Sequence, residues 1–553
     1  MVQLPNTLDE TYERTLLEIS EENWELAHRM FQFVSVASRP LHVNDLAYLL
    51  AFDFKAGSIP EFHKDWPLED PAFAVLSTCS TLFVTVNEGS PVIKLSHFSV
   101  KEFLTSTRLA EATDIISRRY HVSMTPAHTL VAQACLSILL HLDKDVTSDN
   151  LKDFPLAEYA AEHWVDHARF EDVSRNVEDG IKRLLDPSKP HLAICIWIYD
   201  PGVPRWKQNT RNETPLPLPR TSLHYAASWG LHPVVVESLI IEHSQDVCSR
   251  DSTDNATPLH LASLNGHLKA VCKLIECGAD ATAQNNDGET SLHLALRWGR
   301  VDVARMLIAR CADLSTQNND GETPLHLALR KNQEGVARVL IERGADLSTQ
   351  NNHGETPLHL ALKENQEDVA RMLIERGADL TAQNYVGNTP LHLSLRWGQV
   401  DLARMLIACS ADLSIQNSKG ETPLHVALKE EQDDVARMLI ERDANVTVQN
   451  NLGDTPLHIT SRWGQVDLTR MLIERDANVT AQNKVGDTPL HLALASPQWI
   501  SPRKYAEVVR MLLEHDADVN ARNANGLTPF ILALQCGLAK IIHVLVQHGV
   551  DCH

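Results

Sequence analysis

The stretch Asn285-Asn-Asp-Gly-Glu-Thr-Ser-Leu-His-Leu-Ala-Leu-Arg-Trp-Gly-Arg-Val-Asp-Val-Ala-Arg-Met-Leu-Ile-Ala-Arg-Cys-Ala-Asp313 returns along the chain at a fixed interval. Its Thr-Pro-Leu-His tetrapeptide, or a one-residue variant of it, places histidines at His260, His293, His326, His359, His392, His425, His458 and His491, each 33 residues after the last. A looser copy precedes them at Thr221-Ser-Leu-His224, and another follows at Thr528-Pro-Phe-Ile531. That makes ten copies over roughly the last three-fifths of the chain. Self-similarity at this period marks a stack of small modules whose apolar sides are buried only against one another.

One copy can be read residue by residue. Asp320-Gly321 supplies a glycine for a tight turn, as do Asp287-Gly288, His353-Gly354, Lys419-Gly420 and Asn525-Gly526 in other copies. Thr323 stands at a helix N-cap and Pro324 at the first helical position, where its missing N–H costs nothing. Leu325, Leu327, Ala328 and Leu329 predict a short apolar helix. Val336, Ala337, Leu340 and Ile341 predict a second over Val336 to Arg343, ended by Gly344. The Thr-Pro-Leu-His-x-Ala signature at this period resembles the ankyrin repeat. The recurring histidines do not point to metal. Stacked helices lie about 8–10 Å apart, far beyond a zinc–nitrogen bond of about 2 Å. An imidazole bridging backbone groups of successive repeats is the expected role.

A formal charge of −22 and a pI near 5.6 argue against a nucleic-acid or anionic-membrane surface. Ten cysteines are scattered singly, with no Cys-x-x-Cys pair, which is free-thiol usage in a reducing compartment. No basic apolar leader and no membrane-length run appears, so a soluble protein of the cytoplasm or nucleus is expected. No Gly-x-Ser-x-Gly elbow, His-Glu-x-x-His or kinase motif set is present. Neither enzyme, cofactor nor metal ion is expected.

Before the repeats, helices are predicted from Leu8, over Asn23 to Ser38, over Val43 to Phe52 and at Pro71–Ser77, with a loop at about 54–70. Strands at Thr81–Val86 and Pro91–Leu95 flank Asn87-Glu-Gly-Ser and predict a hairpin, and Ser99 to Ser106 a closing helix. Three helices with a two-stranded wing describe a winged helix. The first 200 residues hold 30 acidic and 17 basic side chains, the wrong balance for DNA phosphates.

Leu4-Pro-Asn-Thr-Leu-Asp-Glu-Thr-Tyr-Glu-Arg14, Ala37-Ser-Arg-Pro-Leu41 and Leu95-Ser-His-Phe-Ser-Val-Lys-Glu-Phe-Leu104 resemble the region after the nucleotide-binding core of fungal NACHT–ankyrin proteins, relatives of NOD-like receptors. The likeness extends through Tyr120–Asp143 and Phe154-Pro-Leu-Ala-Glu-Tyr-Ala-Ala-Glu-His-Trp164, which it implies is a helical domain. It also implies a nucleotide-phosphate contact for His97, in His97-Phe-Ser-Val-Lys-Glu-Phe103. The chain departs from that family in having no Gly-x-x-x-x-Gly-Lys-Ser/Thr loop and no Gly-Lys dipeptide. His97 is therefore expected to be structural. Five prolines in residues 201–219 predict a semi-extended connector.

The expected architecture is mostly α: a winged-helix domain at 1–110, a helical domain at 111–200, a linker at 201–219 and about ten ankyrin repeats at 220–553. The expected function is a non-catalytic protein–protein interaction scaffold that grips a protein ligand on the concave face of the solenoid. The alternative is a fragment of an NTP-dependent switch whose nucleotide-binding core lies outside this chain. Five places after the signature histidines stand Trp229, Trp298, Trp397 and Trp463, alternating with Asn265, Lys331, Glu364 and Glu430. Tryptophans at that edge of the groove are natural anchors. A basic row, Arg297, Arg330, Lys363, Arg396, Lys429 and Arg462, runs one place before them. An acidic row, Glu289, Glu322, Glu355, Glu421, Asp454 and Asp487, lies at the hairpin tips. Arg338–Glu342, Arg371–Glu375, Arg437–Glu441 and Arg470–Glu474 are read as helical i,i+4 pairs. The step from Thr488 to Thr528 is 40 residues, so seven extra residues near Ser496 to Pro502 predict a finger carrying Trp499 to a partner. The last repeat, apolar at Leu538, Ile541, Ile542 and Val546, predicts either that the native chain continues or that this end docks onto something, in an otherwise monomeric protein.

Overall fold

The computed structural model describes residues 7–549 apart from 55–58, 64–72, 74, 76, 78–81, 88–90, 113, 115–117, 171, 202–213, 216, 243–245, 311–312 and 496–501. The chain forms two compact units, Met1–Val303 and Ala304–His553.

The first unit opens with α1 (Leu8–Leu17), capped by the Thr7 hydroxyl, which accepts the Glu10 N–H. α2 (Trp24–Val36) buries Ala27, Met30, Phe31 and Phe33. β1 (Leu41–His42) follows, then α3 (Val43–Ala47), which is shorter than the expected helix. Tyr48–Ala51 tightens into a 3₁₀ turn, and the chain leaves it as β2 (Phe52–Asp53), paired antiparallel with β3 (Glu61–Phe62) in the segment read as loop. The cause is aromatic burial. Phe62 sits with its ring 5.3 Å from Phe52 and 6.2 Å from Phe154, which outweighs the helical spacing of Leu46, Leu49 and Leu50. The expected hairpin forms as β4 (Phe83–Asn87) and β5 (Pro91–Leu95), and β1 adds a third strand in the order β1-β5-β4. A two-residue strand carries too little pattern to be seen in sequence. The helix expected at 71–77 falls largely outside the described residues.

Next come α4 (Phe98–Leu104), α5 (Met124–His141), α6 (Ala157–Ala168), α7 (Glu178–Leu185) and α8 (His191–Ile198). α5 is apolar on nearly every side, as a helix packed between α2 and α6 must be. The Trp164 side chain of α6 is fully buried and meets Trp229 of the first repeat edge-on, at 5.3 Å. α7 lies against the second helix of that repeat, Pro233–Ile241, and Lys182 pairs with Glu242 at 3.2 Å. The helical segment thus covers the outer side of the first repeat and serves as the cap that an end module needs.

The second unit is a series of helix pairs. Pro324–Arg330 and Glu334–Glu342 make the first complete one, with Thr323 extended at the cap and Gly344 at φ 82°. Both helices lie within two residues of their expected ends. Hairpin tips lock successive pairs through backbone bonds: Asn352 N–H to Asp320 O at 2.9 Å, Tyr385 to His353 at 3.0 Å, and Ser418 to Val386 at 3.0 Å. That approach is why the tip needs glycine. A Cβ on Gly387 (φ 71°) would lie 2.7 Å from the Ser418 nitrogen.

Two features differ from expectation. The seven extra residues are not all loop, because Pro502–Glu514 has 13 residues where Val466–Glu474 has 9, so helix absorbs four of them. None of the four i,i+4 pairs forms among the described residues. Arg338 instead reaches Asp368 of the next repeat at 3.0 Å. The terminal repeat leaves Leu534 52% exposed, where its counterpart Leu428 is fully buried.

First helices end in a left-handed residue, which is Gly398 in one repeat but Glu431 (φ 54°) in the next. A Cβ in that conformation costs roughly 1–2 kcal/mol, partly offset by the entropy glycine loses on folding. Glu431→Gly is expected to raise stability by roughly 0.5–1 kcal/mol, read as a higher urea midpoint at unchanged slope.

Candidate functional site

Each first helix that carries the signature histidine begins the same way. In the repeat at Thr389 the backbone N–H donates to Nδ1 of His392 at 3.3 Å, and the threonine hydroxyl lies 2.8 Å from the same nitrogen. A backbone N–H can only donate, so Nδ1 is the acceptor and the ring proton sits on Nε2. Nε2 then donates across the repeat boundary to Glu421 O at 3.0 Å. The same bridge joins His326 to Glu355 O, His359 to Asn388 O, His425 to Asp454 O and His458 to Asp487 O, all within 3.2 Å. Within the first unit His224 and His260 do likewise, to Ala256 O and Glu289 O. Burial holds these rings neutral, with His326 and His392 lowered to about 4. Among the described residues no group of His, Cys, Asp and Glu could hold a metal ion.

Because those seven or eight residues of helix are fixed at one end, the other end presents its side chains at a regular step. Trp298, Trp397 and Trp463 are 55%, 57% and 42% exposed there. Trp229 is different. It is half-buried between Trp164 and Tyr225 and belongs to the junction with the helical segment. Trp499 lies outside the described residues.

The two charged rows do meet. Buried acids at the tips receive half-exposed cations from the helix ends: Arg297 bonds Glu289 at 2.6 Å, Arg330 bonds Glu322, Lys363 bonds Glu355 at 2.9 Å, Lys429 bonds Glu421 at 3.1 Å, and Arg462 lies 3.8 Å from Asp454. Burial pushes the Glu289 carboxyl up despite Arg297. In Glu355 burial acts the same way, but the bonds from Lys363 and Asn351 bring the carboxyl below its ordinary value. Arg396 has no such acid, since Asn388 stands in the acidic row at that repeat. The sequence carried that signal, because Asn388 is the neutral member of a row otherwise formed by Glu and Asp. Reading also missed the hairpin tips, where Tyr385, Val386, Leu452 and Val485 are exposed apolar side chains. It missed a row of buried and half-buried glutamines too. Gln366, Gln399 and Gln465 each donate through Nε2 to a leucine carbonyl of the preceding repeat.

In the first unit His97 caps α4, its Nδ1 accepting the Ser99 N–H at 3.2 Å. It borders a cleft of about 410 Å³ whose wall includes Arg39, Lys94, Phe98 and Lys101.

A family model described as "Ankyrin repeats" matches overlapping segments that run from residue 179 to residue 553, well over half of the chain. The chain belongs to the ankyrin-repeat family. It is 28% identical over 293 residues to the azaphilone pigments biosynthesis cluster protein L of Monascus ruber. That alignment covers 50% of this chain and spans 60% of the relative's length. Among solved structures it is similar to the ankyrin repeat domain of Bcl-3, a member of the IkappaB protein family, at 29% identity. The match covers 41% of this chain and 99% of that one, with a TM-score of 0.34. Among the described residues no helix is long and apolar enough to cross a membrane.

The neutral histidines make stability depend on pH. An unfolded imidazole takes up a proton near pH 6.5, whereas folded His326 and His392 do so only at about 4. Their contribution is fully present above the unfolded value and is lost as pH falls through the window between the two. The urea midpoint of the chain is expected to fall steadily from about pH 7 to about pH 4.5, without a change in the spectrum of the folded state.

Proposed function

We propose that this chain is a non-catalytic interaction protein whose ankyrin repeats hold a protein ligand along the ends of the first helices and the hairpin tips. The observation that carries the reading is the exposure of Trp298, Trp397 and Trp463 at one repeated position, at the ends of helices whose aliphatic side chains are buried. An indole left in water beside an arginine is the composition of a binding hot spot. Arg297 and Arg330 contribute through the outer edges of their ion pairs, and Trp499 remains a candidate contact. The N-terminal part, read as a winged helix followed by a helical domain, tethers or relays the binding event, in the manner of NOD-like-receptor signalling inside the cell.

A second reading keeps the nucleotide switch. What favours it is the cleft beside His97, which gathers Arg39, Lys94 and Lys101 in an otherwise acidic region. Residues that could meet phosphate line it, but the phosphate-cradling loop has no counterpart in this chain.

Full-length protein with Trp298, Trp397 and Trp463 all changed to Ala should keep its thermal midpoint within a degree or two, because exposed side chains are removed. It should lose most of the proteins that the unaltered chain captures. Trp229→Ala is the opposite case, expected to lose roughly 2–3 kcal/mol of stability through the gap left against Trp164. Retention of every captured protein by the triple variant would defeat the reading. The scaffold reading expects no saturable binding of ATP or GTP, whereas binding that weakens in His97→Ala would favour the switch.

A further inference from the structure

The two charged rows act as an internal ledger of compensation, and one line of it is open. In five repeats the buried tip acid is matched by the cation eight residues on. At the repeat beginning with Thr389 the cation is kept and the acid is not. Asn388 is buried, and its side-chain oxygen is already taken, accepting from Asn417 Nδ2 at 3.1 Å. Arg396 is exposed and has no ion-pair partner among the described residues. On the next residue stands Trp397, the most exposed of the three tryptophans. A free guanidinium can receive a planar carboxylate in two parallel hydrogen bonds, and the exposed indole on the next residue offers an apolar surface to whatever carries that carboxylate.

The flanking repeats carry the opposite charge. Glu364 and Glu430 occupy the position of Trp397 one repeat to either side, and both are exposed without an ion-pair partner among the described residues. Their nearest row neighbours, Lys363 and Lys429, are engaged by Glu355 and Glu421. The open charges along this part of the second unit therefore alternate: acid, base, acid. Repeats step by about 8–10 Å, and an extended chain covers that in about three residues.

We propose that Arg396 receives a carboxylate of a bound polypeptide, and that basic side chains about three residues to either side of it reach Glu364 and Glu430, with an apolar neighbour on Trp397. The occupant is a basic, extended protein segment with one acid in register. Its basic character follows from the chain's net charge of −22, which draws cationic partners in. The single acid is what sets register and excludes uniformly basic chains. This rests on the reading that the tryptophan-bearing face binds protein.

The probe is a phage library of random peptides about twelve residues long, selected on the immobilised full-length chain, on Trp397→Ala and on Arg396→Glu. Peptides retained by the unaltered chain but not by Trp397→Ala should share an acidic residue flanked by basic ones about three places away. Arg396→Glu should select a basic residue in the central place. A synthetic peptide carrying the selected pattern should bind about fivefold or more weakly to Arg396→Gln, and its own Glu→Gln form should lose nothing further on that variant. Thermal midpoints equal to that of the unaltered chain exclude misfolding of these surface variants. Tryptophan-dependent peptides with no acidic place, or a pattern unmoved by Arg396→Glu, overturn the carboxylate receptor while leaving the binding face standing. Absence of any tryptophan-dependent peptide overturns both.

Discussion

The hydrogen bond from an imidazole Nε2 to a carbonyl of the next repeat is the constraint on which the repeat architecture depends. A helix of seven residues has almost no stability of its own. Here its first turn is closed by three partners at once: a threonine in the cap, a proline with φ already set, and a histidine whose Nδ1 returns to the cap. The same ring then satisfies a carbonyl in the following turn, 29 residues later. One side chain completes a local cap and a long-range contact. Losing it would leave a buried N–H and a buried C=O unpaired together, which is why leucine packing alone could not replace it.

Fixing one end of each helix leaves the far end free to vary. The positions between Thr389 and Leu395 have the same burial as those between Thr356 and Leu362, down to the fully buried leucines. Five places after the histidine the residue is Trp, Lys, Glu or Asn with no effect on that frame. Charges just inside this edge follow a stricter rule, because the tip acids are buried. A buried carboxylate without a counter-charge is costly, so the five buried acids each come with a cation, the half-buried Asp487 has none among the described residues, and at Arg396 the cation without an acid is tolerated because its end remains in water.

Much of this was legible in sequence. The period, the caps, the two helices per repeat and the non-metal role of the histidines follow from spacing and from the chemistry of threonine, proline and glycine. The tryptophan row was legible as a row, but not the difference between its members. Trp229 has the same offset as Trp298, yet α6 brings Trp164 against it, and no local pattern announces a contact between residues 65 positions apart. The β2–β3 pair was missed for the same reason. Two-residue strands have no periodicity, and Phe52 and Phe62 find each other through tertiary packing. The Arg338–Glu342 pair failed because a partner one repeat away, Asp368, competes with the partner one turn away.

The two ends of the repeat series are handled differently, and the difference bears on what the N-terminal part is for. At the first repeat the second helix is covered by α7 and the first by Trp164, so that surface is consumed by intramolecular packing. Any change in the position of α6 must therefore move Trp229 and, through the His224 bond to Ala256 O, the repeat behind it. The helical segment is thus packed as part of the first repeat's own core.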